Sequence, residues 1–243
     1  MIPVDSLLYK IDQKLNKLST NEHQQIQLED KILALNEAQL KLIKNKVDPP
    51  PSSANTGMDS TRRRYEDLQN LVEPHEDHPL VLALVNSKLN KWTSSLTGVS
   101  PAYMFYTDAY VIANKGRCKD RKIWVNRDLL KHGDIQFVLN NDHYKPSFEY
   151  QETCCDISSD EIAIFTDGTF IPTKLYLSYI RYPLYIDKAG YVKLDGTPSI
   201  TQDCELKNYL EDELVDLAVQ DLAGYTENVG AVNMAQTRIQ KSE

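Results

Sequence analysis

Side chains able to do chemistry are sparse in this chain, and their spacing is poor for most reactions. His75 and His78 stand three residues apart beside Glu76 and Asp77. Two imidazoles at that spacing can share a metal, but the pair lies in a proline-flanked loop with no third ligand nearby, and a zinc site needs three or four. His143 with Cys154 or Cys155 would supply a base and a thiol. The plainer reading is a turn histidine and two strand cysteines packed as small hydrophobes. Asp156, Asp160 and Glu161 cluster in one turn without the spacing or the glycine of a calcium loop. The signatures Gly-x-Ser-x-Gly, Gly-x4-Gly-Lys-Ser/Thr, Gly-x-Gly-x-x-Gly and His-Glu-x-x-His are all missing. The expectation is therefore a chain that is not an enzyme, with no catalytic residue, no metal and no cofactor.

The charged residues point elsewhere. Two short runs are strongly basic: Arg62, Arg63 and Arg64, and then Lys115, Arg117, Lys119, Arg121 and Lys122 around a turn. Such runs are usually solvated faces; the alternative is a contact with DNA phosphate or with an acidic partner. The chain as a whole carries a net charge of −8. That balance argues against gripping DNA over a broad surface, and it suits a conduit through which DNA slides without sticking.

Several elements must position these residues. Val4, Leu7, Leu8, Ile11, Leu15 and Leu18 recur at helical spacing, so residues 4–18 read as an amphipathic helix. Ser19 followed by Glu22 is a capping box, predicting a second helix that runs to about Val47. This helix carries two apolar stripes: Ile26, Leu33, Leu40 and Val47 on one side, and Leu28, Ile32, Leu35 and Leu42 on the other. A helix striped twice must be sandwiched, within its own domain or against a neighbouring subunit. Ile26, Leu33, Leu40, Leu28, Leu35 and Leu42 are accordingly the candidate subunit interface. Pro49, Pro50 and Pro51 open a stiff spacer. Residues 60–72 read as helix with Tyr65, Leu68, Leu71 and Val72 on one side, while Leu80 to Trp92 fits a strand or a short helix equally well.

From Val99 the texture turns to strand, with segments at 102–106, 110–113, 123–125, 148–155, 161–165 and 175–181. Residues 128–139 read as a helical turn followed by a short apolar segment, and Asp167-Gly168 is a hairpin-turn signal. In 175–182 an aromatic-rich face (Tyr176, Tyr182) alternates with an aliphatic one (Leu175, Leu177). Leu206, Leu210, Leu214, Leu217, Ala218 and Leu222 share one face of a closing helix, with Gly224 as its C-cap. The fold class is α+β: helices from both chain ends form a helical layer, and the centre is an antiparallel β block. The expected divisions are an N-terminal helical hairpin (1–48), a proline-rich linker (49–59), a helical segment (60–98), a β-rich domain (99–203) and C-terminal helices with an arm (204–243), the arm itself being 225–243. Four cysteines without a Cys-x-x-Cys pair fit reduced thiols. The N-terminus lacks the pattern of a signal peptide, and no stretch approaches the ~20 apolar residues of a membrane span.

The order of these segments resembles a family of virion structural proteins from tailed phages of Bacteroidetes hosts, the crAss-like phages. The resemblance is carried by KPSFEY (145–150), LSYIRYP (177–183) and the helix at 205–224, supported by RRRYEDLQNLV, GRCKDRKI and the DGTF turn. It implies a ring or adaptor subunit of the head-to-tail connector beneath the portal, assembled in the bacterial host cytoplasm and located in the virion. The implied partners are further copies of itself in a ring of about twelve by analogy with portal rings, the portal protein, adjoining tail or ring proteins, and genomic DNA in the lumen. Another tail or baseplate subunit is the alternative within the same particle. A nucleic-acid-binding regulator using the two basic runs is the alternative of a different class.

Overall fold

The computed structural model describes residues 1–16, 26–48, 66–74, 79–125, 135–158, 160–193, 196–225 and 237. In chain order the elements are α1 (Val4–Asn16), α2 (Leu28–Val47), β1 (Val72–Glu73), β2 (Pro79–Val81), β3 (Ala83–Asn86), β4 (Lys91–Ser95), β5 (Tyr103–Lys115), β6 (Cys118–Val125), α3 (Ile135–Asn140), β7 (Glu152–Ser158), β8 (Glu161–Phe165), β9 (Ile171–Arg181) and α4 (Glu211–Tyr225). Short 3-10 turns precede β1 and α4, at Gln69–Leu71 and Asn208–Leu210. The class is α+β. The chain divides into two units, Met1–Leu71 with Pro183–Glu243, and Val72–Tyr182.

The first unit is helical, and α4 is its centre. Leu214, Val215, Ala218, Val219, Leu222 and Ala223 are all buried, so α4 hides more than one face, packing against both α1 and α2. Ions reinforce both contacts. Toward α1, Lys10 pairs with Glu211 at 2.8 Å and Asp212 at 2.9 Å, and Lys14 with Asp216 at 2.8 Å. Toward α2, Lys41 pairs with Asp221 at 2.6 Å and Lys46 with Glu213 at 3.1 Å. Glu211, Asp212 and Glu213 also sit in the first turn of α4, where the helix dipole favours anions. Both α1 and α2 pack on α4, with Lys31 to Asp12 (2.5 Å) an ion pair between them; the link expected to make them a hairpin, 17–25, lies outside the described residues. The first residues are tied down as well. Ile2 and Cys204 exchange backbone hydrogen bonds of 2.8 and 3.0 Å, and the Val4 amide donates to Asp203 Oδ1 at 3.0 Å.

Asn36 is the pivot of α2. Its amide donates to the Ile186 carbonyl at 2.9 Å and accepts from the Ile186 N–H at 2.8 Å. It therefore completes the backbone bonding of a buried residue that no strand partner reaches, fixing the extended segment after Pro183 to the helix. Some helix boundaries differ from the sequence reading. The described helix starts at Leu28 with Gln27 at its N-cap, while Ser19 and Glu22 lie outside the described residues. At the other end of the chain, α4 continues through Gly224 to Tyr225, so Gly224 is not its cap.

The second unit is a β-structure with nine strands, in the order β1-β9-β5-β6-β7-β8-β4-β3, with β2 also on β9. The segment 79–86 explains its shape. Leu80 pairs with Leu175 of β9; Leu82 donates to the Thr173 carbonyl at 3.5 Å; Ala83 and Leu84 then pair with Thr93 and Trp92 of β4. One continuous stretch so reaches both ends of the β9-to-β4 ladder, and the sheet closes into a small barrel. Its filling comes from every wall: Val111, Val125, Cys155, Ile164, Leu177 and Tyr179 are among the buried residues. Each such aliphatic side chain contributes about 1.5–3 kcal/mol by leaving water.

Three expectations are corrected here. The segment 60–98, expected to be helical with 80–92 open between strand and helix, holds β1 to β4: β1 and β2 pair with β9, β4 pairs with β8, and β3 and β4 pair with each other. The β block is also not wholly antiparallel, since Trp124 and Val125 of β6 pair in parallel with Glu152 and Thr153 of β7. Asp167-Gly168 does turn the chain, but not as a hairpin: it leads from β8, which pairs with β7 and β4, to β9, which pairs with β1, β2 and β5. Gly168 has φ +80°, a conformation that favours glycine, and a Cβ there would meet the Asn90 side-chain nitrogen at 2.9 Å.

Candidate functional site

Residues 115–122 form the β5–β6 hairpin, but they do not act as one basic tip. The turn itself is short: Lys115 pairs with Cys118 across Gly116, at φ +56°, and Arg117. The remaining cations lie on β6, where successive side chains point to opposite faces. Lys122 and Trp124 face outward. Arg121 goes to the other side, with its guanidinium carbon 4.9 Å from the centre of the Phe148 ring, and donates to the Glu149 carbonyl at 3.3 Å. Lys115 joins it, 2.7 Å from the Glu149 carboxylate, and its hydrogen bond holds that carboxyl below the usual range. Arg117 and Lys119 are exposed at the tip. So the five predicted cations divide into an anchored pair, an exposed pair, and Lys122 on the barrel's outer wall.

That wall carries what the sequence reading missed. Tyr110 of β5 stands opposite both Trp124 of β6 and Tyr176 of β9. The Tyr110 and Tyr176 rings stack with centroids 4.8 Å apart and an interplanar angle of 9°; Tyr110 and Trp124 meet edge-on at 5.8 Å. The Lys122 ammonium lies 3.7 Å from the Tyr110 centroid and 4.0 Å from that of Trp124. Trp124 is 46% exposed. The signal in sequence was the alternation in 175–182 together with Tyr110 and Trp124 at outward positions of their strands.

The candidate helix interface separates into two halves. Leu35 and Leu42 are fully buried in the helical unit, with Ile32 beside them, and Leu28 is half-buried. Leu35 and Leu42 belong to their own core, which removes them from any contact surface between copies. The other stripe stays open: Leu33 is 50% exposed and Val47 37% exposed, with Ile26 and Leu40 half-buried. Arg62, Arg63 and Arg64 lie outside the described residues, as do His75, His78 and almost all of the predicted arm beyond Tyr225.

The thiols are separated by environment. Cys155 points into the barrel and Cys154 packs with Ile135, Ala163 and Phe165 under α3. Burial pushes both thiols up to about 12, and Cys204 to about 11. At neutral pH they are protonated and unreactive. His143 is exposed in the turn after α3. Among the described residues no three His, Cys, Asp or Glu side chains are grouped to hold a metal, and no helix is long and apolar enough to cross a membrane. No family model matches the sequence, and no curated protein matches it.

Proposed function

We propose that this chain is a structural ring subunit of a phage head-to-tail connector, joining further copies of itself and the portal around a DNA passage. The single observation that carries the self-association is the stripe Leu33, Leu40 and Val47 on α2. It repeats every seven residues over about 21 Å of helix and remains partly open to solvent, while the opposite stripe fills the core. A partly open aliphatic row at such a repeat is a seam for another helix or sheet face. The motif resemblance gives the setting, and the net charge of −8 suits a lumen that does not retain DNA. A closed ring needs two different faces on each subunit, so a single charge in the seam should block closure without unfolding the chain.

The test is particle imaging and native mass spectrometry of the purified protein, alone and with portal, beside Leu33→Glu. Rings or portal-bound arcs are expected for the wild type and monomers for Leu33→Glu with an unchanged circular dichroism spectrum. A wild-type chain that stays monomeric at tens of micromolar and ignores portal would refute the reading.

A further inference from the structure

We propose that the outer wall of β9, β5 and β6 is a stacking platform for single-stranded nucleic acid. The strand registers lay out two parallel rows across these three strands. One row is Tyr176, Tyr110 and Trp124; the next, two residues further along β5, is Lys174, Ile112 and Lys122. With strands about 4.8 Å apart, the aromatic row spans about 10 Å, and the cationic row lies about 7 Å away. Bases stack on the first row and the backbone phosphates reach the second.

Cross-strand aromatic pairs also stabilise a sheet on their own, which accounts for Tyr110 against Tyr176. It does not account for a tryptophan 46% exposed on the outward face of a barrel whose core lies on the other side, nor for exposed lysines on both flanking strands. The Lys122 ammonium now lies against the Tyr110 and Trp124 rings. An arriving base takes the ring face, and the ammonium moves to the phosphate that comes with it. The local charge agrees: 115–122 holds five Lys or Arg against one Asp, and Val72–Tyr182 has twelve against fourteen acidic residues, so the chain's excess acidity lies mostly in the helical unit.

The occupant is a nucleic acid rather than an acidic peptide because the row of rings needs planar partners, and every base offers a π-face. It is single-stranded because the bases of a duplex are already stacked on one another. This reading does not depend on ring formation.

The test uses the full chain carrying Trp92→Phe, which leaves Trp124 as the one tryptophan, and a fluorescein-labelled oligothymidylate of about 16 nucleotides, with the same sequence as a duplex for comparison. Micromolar binding to the single strand, quenching of Trp124, and an affinity falling with salt are expected. Lys122→Glu with Lys174→Glu should weaken binding at least tenfold and flatten the salt slope, and Trp124→Ala should weaken it about tenfold; all of these positions are exposed, and circular dichroism verifies folding. No binding at tens of micromolar in low salt overturns the proposal. So does binding that the lysine variant leaves unchanged, or a duplex that binds as tightly as the single strand.

Discussion

Replacing Asn36 by alanine should cost the helical unit about 2–4 kcal/mol. Asn36 is 7% exposed and Ile186 is fully buried. The substitution removes both the donor to the Ile186 carbonyl and the acceptor for the Ile186 N–H. An unsatisfied buried group costs about 1–3 kcal/mol, so two cost about 2–6. Alanine returns up to about 0.7 kcal/mol through helix propensity, and water entering the vacated volume recovers some of the rest. The third bond of the side chain, to the Ile32 carbonyl at 2.8 Å, matters little, because that carbonyl keeps its place in the helical ladder. The assay is urea unfolding followed by circular dichroism at 222 nm, a signal dominated by α1, α2 and α4. Asn45→Ala on the exposed side of the same helix is the control, with an expected change within about 0.5 kcal/mol. If Asn36→Ala falls within that same margin, the side chain does not fix the extended segment to α2 and the reasoning fails.

Two further outcomes follow from the protonation states and burial. With Cys118 exposed and Cys154, Cys155 and Cys204 buried, a thiol reagent at pH 8 should label one cysteine quickly in the native protein and four in denaturant; a second fast thiol would contradict the packing under α3, inside the barrel or beside Ile2. For the α1–α4 contact, burial raises the Glu211 carboxyl, but the hydrogen bonds from Lys10 and Ser6 outweigh it; the Lys10 bond lowers Asp212, and bonds to both acids raise Lys10. Carboxyls depressed in the folded state stabilise it above their unfolded values, about 3.9–4.3, and that stabilisation is lost as pH falls through the folded ones. The lysine term is fully present below about 10.4 and is lost only as pH rises through the raised value. The stability difference between wild type and Lys10→Met, about 1 kcal/mol or less for pairs this exposed, should be flat from about pH 5.5 to 9 and shrink below about pH 4. A difference that grows on acidification would reverse the sign.

What could be read from sequence was whatever repeats locally. The alternation in β9 placed Leu175 and Leu177 on one face, and both are buried in the barrel. The apolar face of α4 was equally visible, because Leu214, Ala218 and Leu222 recur within one helix. For residues 79–86 the sequence leaves strand and short helix open, since what decides for strand is pairing with β9 and then β4, partners far along the chain in one case and beyond a turn in the other. The start of the β unit was missed for the same reason: Val72 is a strand residue because Ile180 lies opposite it. The stacking row shows the limit most clearly. Tyr110, Trp124 and Tyr176 are neighbours only through two registers, and no pattern within a single segment contains a register. For α2 the two stripes were plain, but which of them met the core depended on where α4 and the segment around Ile186 pack.

The two proposed surfaces lie on different units, which makes them separable. Leu33→Glu changes the helical unit and leaves the aromatic row untouched; the Lys122 and Lys174 charge reversals do the opposite. An oligonucleotide that covers one platform should therefore bind Leu33→Glu as tightly as the wild type, whatever the state of assembly. A strand long enough to bridge neighbouring copies should distinguish them, because a ring presents many platforms at high effective concentration, and tethered sites gain about 10²–10⁴ in avidity. Loss of long-strand affinity with short-strand affinity intact would tie the platform to the assembled ring. Equal long-strand affinity in both proteins would mean that the platforms act singly, and with monomeric wild type in the same buffer it would remove the ring while leaving the platform standing.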